Sequence, residues 1–354
     1  MVRLPGEVQT MFAELSEQLR MHEATRTFAT LTGSFTRKIV NDSIYWYFKT
    51  SEGASGQREY FIGPDNRETK DIMRAYAAGR PDAEAAAINI QRLCTMLRHG
   101  GAMLADAPTA RVVSGLANAG IFRLGAMLVG THAFIALGNL LGVRWESTMR
   151  TQDIDLAATR VLRVAVPQND ADLPKALEAL NMGFLPVPGL ERKEPSTSFS
   201  VRGQSLRVDL LTPAIGSRDD RPVRITRLNA AAQPLEMLGY LLEVSVAMPF
   251  IDGGASLVNV PDPARFALHK LMISGRRDVS AQAKATKDRE QAAEMIRVLF
   301  QDRPGDLTLA VEALNKRPPG WRVRLRRELA KLPPAMKAEC DLIARDLATD
   351  QAAR

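Results

Sequence analysis

Cysteine is nearly absent from this 354-residue sequence: Cys94 and Cys340 stand alone and far apart, which excludes a disulfide framework or a cysteine metal cluster. A reducing cytoplasm is the expected location. No apolar run approaches the roughly 18 residues that a membrane-crossing helix needs, and the opening MVRLPGEVQT lacks the basic-then-apolar pattern of a signal peptide. A membrane role is therefore not expected. There is no P-loop, no GxGxxG, no HExxH and no CxxC pair, and no nucleophile elbow to support a serine hydrolase. Repeats and low-complexity tracts are also missing. Aromatic residues make up only 6% of the chain, yet Tyr45, Trp46, Tyr47, Tyr60 and Phe61 crowd into one short stretch.

Hydrophobic residues at 45% suffice for ordinary cores in two or three domains. The net charge of +7 points mildly to a polyanionic partner such as a nucleotide or RNA, although dispersed arginines supply much of it.

Taken in order, residues 5–30 read as an exposed helix with Val8, Met11, Phe12, Leu15 and Leu19 near helical spacing. Asn41-Asp42 and the Gly/Ser-rich 51–56 are turn signals between β-rich runs, predicting a small antiparallel meander. Its aromatic residues, with Arg37, Lys38 and Arg58, can stack bases; the plainer reading makes one face this subdomain's core. Residues 66–104 read as two helices, the second started by Pro81-Asp82, and Gly100-Gly101 precedes a boundary near 105. Residues 116–124 lead into a first core strand beginning at Phe122. Further expected elements are a strand at 161–166, a helix at 170–180 with Pro174 in its first turns, and strands at 199–201 and 206–211 across a turn at 202–204. Strands at 240–248 and 256–260 flank Asp252-Gly253-Gly254. Asp262 then caps a helix with Pro263 at its first position, and from 281 onward the chain is helical. The divisions are 1–105, 106–260 and 261–354.

The chemistry gathers at 126–157, AMLVGTHAFIALGNLLGVRWESTMRTQDIDLA. An apolar strand ends at Gly130-Thr131, a helix follows, and a second strand carries Asp153-Ile154-Asp155-Leu156. Strand residues i and i+2 share a face, so Asp153 and Asp155 converge while Ile154 and Leu156 point to the core. Two convergent carboxylates on a strand built for burial are costly without a cation between them, and a divalent metal is the simplest one.

This arrangement resembles the DNA polymerase β-like nucleotidyltransferase superfamily, whose signature is a Gly-[Gly/Ser] turn opening a helix, then an acidic-x-acidic strand and a third carboxylate on a later strand. More narrowly, VGTHAF, LGVR, TQDIDLA and PDPARFALHKL resemble a little-characterised bacterial family of nucleotidyltransferase-fold proteins. Two departures stand out: Thr131 replaces the usual Ser or Gly, and the longer gap to Asp153 implies an extra loop at 142–152. The resemblance implies an α/β (α+β) core with a mixed sheet, an N-terminal helix-plus-antiparallel extension and a C-terminal helical domain. It makes Asp209 the third carboxylate. It further implies a metal-dependent enzyme that moves NMP from an NTP to a hydroxyl on RNA (tRNA included), protein or a small molecule.

On this reading Asp153, Asp155 and Asp209 hold Mg²⁺ or Mn²⁺, the oxygen-only set suiting neither zinc nor copper, and Asp209 doubles as base. The equally plain alternative for Asp209 is an ion pair with Arg207 or Arg202. Backbone N–H groups at Gly130, Thr131 and His132 would cradle phosphates; His132 is as well read as a helix-start histidine bonded to backbone. The segment containing His269-Lys270, Arg276-Arg277, Lys284 and Lys287-Asp288 resembles the helical domain of abortive-infection, toxin-like nucleotidyltransferases. Lys270 and Arg276 are the candidates for triphosphate contacts, whereas Lys284 reads better as a solvated i,i+4 partner of Asp288. Arg144 and Arg150 can close over substrate or simply line a surface loop. An antitoxin partner is compatible with the toxin-like reading. Two rivals remain: a catalytically silent nucleotide- or RNA-binding module, and a DxD glycosyltransferase, which leaves Gly130-Thr131 without a role.

Overall fold

The computed structural model describes residues 1–24, 31–50, 58–146, 151–160, 171–189, 194–215, 221–276 and 281–347. The strand expected at 161–166, the turn at 51–56, Arg150 and Arg277 lie outside the described residues.

A short strand β1 (Val2–Arg3) precedes α1 (Gly6–Ala24). This helix is not exposed as its sequence predicts. Val8, Phe12, Leu15 and Leu19 form one stripe that is buried against neighbouring helices and strands. The meander is present as β2 (Gly33–Val40), β3 (Ser43–Thr50) and β4 (Arg58–Pro64), antiparallel throughout. Next comes α2 (Arg67–His99), a single 33-residue helix where two were expected. Pro81 lies inside it, and the missing N–H costs about 3 kcal/mol in a helix interior. The alanines around it, strong helix formers, carry the helix across. Only the C-terminal half of α2 enters the core, through Ile90, Leu93, Cys94 and Leu97.

Asp106 caps α3 (Ala107–Asn118), and Phe122, expected to begin the first core strand, sits in the turn after it. The first core strand is β5 (Met127–Val129), followed by α4 (Gly130–Leu140), β6 (Val143–Arg144) and β7 (Asp153–Ala157). Then come α5 (Leu173–Glu178), β8 (Phe184–Pro186), β9 (Ser198–Val201), β10 (Arg207–Pro213), β11 (Val223–Ile225) and β12 (Ala230–Leu235). The mixed sheet runs β11-β12-β10-β7-β5, with β9 on β10 and β8 on β9. β7 and β10 are parallel, with Asp155 opposite Asp209 and Asp153 opposite Arg207. That register decides where the chemistry sits.

Tyr240 belongs to a short helix α6 (Leu238–Leu241) rather than to a strand, and the hairpin comprises β13 (Ser245–Ile251) and β14 (Ala255–Pro261). Asp262 caps α7 (Pro263–Ser274) as expected, accepting a hydrogen bond from the Arg265 backbone N–H at 2.9 Å. Among the described residues four α-helices follow: α8 (Gln282–Asp302), α9 (Pro304–Asn315), α10 (Pro319–Leu329) and α11 (Lys337–Asp346). Tyr240 anchors them to the core by donating to the Ala310 carbonyl at 2.8 Å. Among the described residues no helix is long and apolar enough to cross a membrane. The architecture is the mixed α/β core expected, with an N-terminal extension and C-terminal helices.

Candidate active site

Alternation on two adjacent strands builds one wall. On β7, Ile154 and Leu156 are fully buried, so Asp153 and Asp155 emerge on the other face. On β10, Val208, Leu210 and Thr212 are buried, leaving Arg207, Asp209 and Leu211 on that same face. β5 lies on the other side of β7 and ends at Gly130, whose φ of +66° is the left-handed region. A Cβ there would stand 2.0 Å from Asp155 Oδ2, so only glycine lets the start of α4 approach the carboxylate. Gly130→Ala is therefore expected to lower stability by about 1–3 kcal/mol and to weaken nucleotide binding. Denaturant midpoint and calorimetric titration measure the two effects.

The opposite wall comes from α7 and α8. Phe266, His269, Lys270 and Ile273 recur at helical spacing along one face of α7, and Lys284, Lys287 and Asp288 do the same on α8. Together with Gly130, Thr131, Asp153, Asp155 and Asp209 they enclose a cavity of about 300 Å³. Carboxylates line one side and lysines the other. A larger, mostly apolar cleft of about 430 Å³ opens between α5 and β8–β9, but it contains neither the carboxylates nor the lysines.

Proton affinities register the crowding of charge. Burial, then the neighbouring Asp209, raises the Asp155 carboxyl to about 6, and Lys270 partly opposes this. Burial, then Lys270, lowers the affinity of Lys287. Lys270 is itself buried and tied to the buried Asp288, with Nζ 2.7 Å from Oδ1 and 5.6 Å from the Phe266 ring centre.

A family model described as a nucleotidyltransferase matches residues 107–315, more than half of the chain and all of both walls. The chain belongs to this nucleotidyltransferase family. No curated protein and no solved structure matches it.

Within this nucleotidyltransferase the expected site residues divide into two groups. Gly130, Thr131, Asp153, Asp155, Asp209 and Lys270 meet in the cavity. His132 and Arg276 do not line it. The His132 ring is 2% exposed, packs edge-on toward Phe250, and has no hydrogen-bond partner on either nitrogen among the described residues. Burial lowers its proton affinity to about 4, so it is neutral and interior rather than a phosphate contact or a backbone-bonded histidine. Arg276 follows the end of α7 and turns away to pair with Glu236. Lys284 corrects the other way: Asp288 pairs with Lys270, and Lys284 is left at the rim of the cavity. Lys287 was not singled out, although its i,i+3 spacing from Lys284 on one helix was legible.

The acidic wall fits a hard divalent cation only in part. Its donors are all oxygen, as Mg²⁺ or Mn²⁺ prefers, and burial with the neighbouring Asp209 makes the Asp155 charge costly there. Asp209, however, accepts from Arg207 Nε at 2.7 Å and from the Ser198 hydroxyl. Among the described residues no group of three His, Cys, Asp or Glu side chains stands assembled as a metal cage. Asp153 and Asp155 could hold such an ion, whereas Asp209 would first have to turn from Arg207.

Proposed function

We propose that the protein is a metal-dependent nucleotidyltransferase that moves a nucleoside monophosphate from an NTP to a hydroxyl acceptor. The observation that carries this is the opposition of carboxylates and lysines across one cavity at the start of α4. A triphosphate fits between such walls, since its anionic oxygens can face the lysines while a cation links it to the carboxylates. Asp153 and Asp155 would hold Mg²⁺ or Mn²⁺, which when bound neutralises charge developing on the phosphates. The acceptor oxygen attacks the α-phosphorus, the bond from that phosphorus to the α,β-bridging oxygen breaks, and pyrophosphate leaves. Asp209, in register with Asp155, would take the acceptor's proton once it turns from Arg207. Backbone N–H groups of Gly130 and Thr131 and the side chains of Lys270 and Lys287 would hold the phosphates.

Lys287→Met is expected to raise the KM for NTP by about tenfold or more, the worth of one charged hydrogen bond, and to leave the fold intact. Steady-state kinetics and thermal unfolding measure both.

The acceptor hydroxyl belongs to RNA (tRNA included), a protein or a small molecule. The direct test incubates the protein with each α-³²P-labelled NTP, Mg²⁺ or Mn²⁺, total bacterial RNA and protein extract. A labelled band made by wild type and not by Asp153→Asn supports the proposal. The engagement of Asp209 by Arg207 and Ser198 favours a second reading, a silent nucleotide-binding module. Nucleotide binding with no label transferred under any combination would establish it instead.

A further inference from the structure

The meander β2–β4 lies outside the stretch matched by the family model and outside the cavity. Cross-strand partners share a face, so its two faces can be read from the register. Phe35 pairs with Phe48, and Phe48 with Tyr60. Phe35 and Phe48 both meet Tyr76 of α2 edge-on, at 5.3 and 5.2 Å between ring centres. This face is the subdomain's own core.

The other face carries Thr36, Lys38, Tyr45, Tyr47, Lys49, Glu59 and Phe61. Its three rings form a row, Tyr45 to Phe61 at 6.0 Å and Phe61 to Tyr47 at 5.5 Å. Phe61 is 58% exposed, and Lys38 lies 4.5 Å above the Tyr47 ring. Lys38 and Lys49 share Glu59 as their partner, so the row keeps an excess positive charge. The helix that presents this sheet enters the core only from Ile90 onward, about 20 Å along its axis from Tyr76.

Val40 shares this face only at its turn end; an aromatic row edged by lysines matches bases and phosphates better than it matches a protein core. We propose that this face binds single-stranded RNA, with Tyr45, Tyr47 and Phe61 stacking on bases and Lys38 and Lys49 meeting the backbone. The proposal rests on the transferase reading only for its purpose, which is to hold the acceptor strand; the binding itself is independent of transfer.

The test is fluorescence anisotropy of a labelled 12-nucleotide single-stranded RNA with the full-length protein, alongside calorimetric binding of ATP with Mg²⁺. Binding is expected to weaken steeply with salt. Tyr45→Leu and Phe61→Leu, which keep apolar bulk but remove stacking, should each weaken RNA binding about tenfold and leave ATP affinity unchanged. Lys49→Glu should weaken binding and flatten its salt dependence. Equal RNA affinity in the leucine variants would overturn the proposal. So would equal affinity for a 12-base-pair duplex, or a self-association in sedimentation that Phe61→Leu abolishes, which would make the face an interface between copies. Loss of ATP binding in wild type would instead strike the transferase reading and leave the RNA result standing.

Discussion

Asp155→Asn is expected to abolish nucleotidyl transfer and, in metal-free protein at neutral pH, to make the fold more stable. The Asp155 carboxyl is raised to about 6, first by burial and then by Asp209. An unfolded-chain aspartate titrates near 3.9. Between those values the native state holds a proton that the unfolded chain has released, so stability falls as pH rises from about 4 to 6 and stays lower above. That difference corresponds to roughly 3 kcal/mol at pH 7. Asparagine removes the charge and with it this loss. Thermal unfolding between pH 4 and 8 without metal should show a decline for wild type and a flatter profile for Asp155→Asn. Added Mg²⁺ should then raise the melting temperature of wild type, by the linkage that any native-state ligand imposes, and leave the variant nearly unmoved. A variant less stable than wild type at pH 7 would show that Asp155 is satisfied without a cation.

The second large effect concerns the Lys270–Asp288 pair. Its side chains are only 8% and 4% exposed, with 2.7 Å between Nζ and Oδ1. Asp288→Ala would leave the Lys270 charge buried, with Lys287 as a like-charged neighbour. Breaking one side of such a pair costs about 3–5 kcal/mol, a large share of the 5–15 kcal/mol that holds a typical domain together. Replacing both partners by apolar residues, Lys270→Met with Asp288→Leu, should recover most of that stability. The double variant should nonetheless bind NTP poorly, because a lysine lining the cavity is gone. Chemical denaturation of the two singles and the double isolates the coupling. Additive losses would mean that the pair is not a unit.

Much of this site was legible where the information is local. Asp153-Ile154-Asp155 declares its two faces through strand alternation, and Gly130-Thr131 declares a turn into a helix. Asp262-Pro263 declares a helix start. The helix faces were harder. Nothing in the order of residues says how α7 is rotated against the sheet, so Lys270 and Arg276 looked equivalent until one faced the cavity and the other Glu236. His132 was misjudged for the same reason, since the third residue of α4 can point to the phosphate side or the core. Pro81 was read as a breaker because its local penalty is large, but neighbouring helix propensity outweighed it. The strand β12, AAAQPL, escaped notice because alanine carries little β signal and pairing with β11 and β10 makes it a strand. Asp209 stands beside Asp155, and its ion pair with Arg207, two residues away on the same strand, was the alternative already legible in the sequence; its bond from Ser198 depends on the register with β9, which sequence spacing only hints at.

The central claim is that this cavity transfers the nucleotide and releases pyrophosphate, and parallel reactions with α-³²P and γ-³²P NTP test it most directly. The account predicts α label in the acceptor, γ label in free pyrophosphate, one pyrophosphate per nucleotide transferred, and neither product with Asp153→Asn. Gamma label in the acceptor, the mark of phosphoryl rather than nucleotidyl transfer, would contradict it.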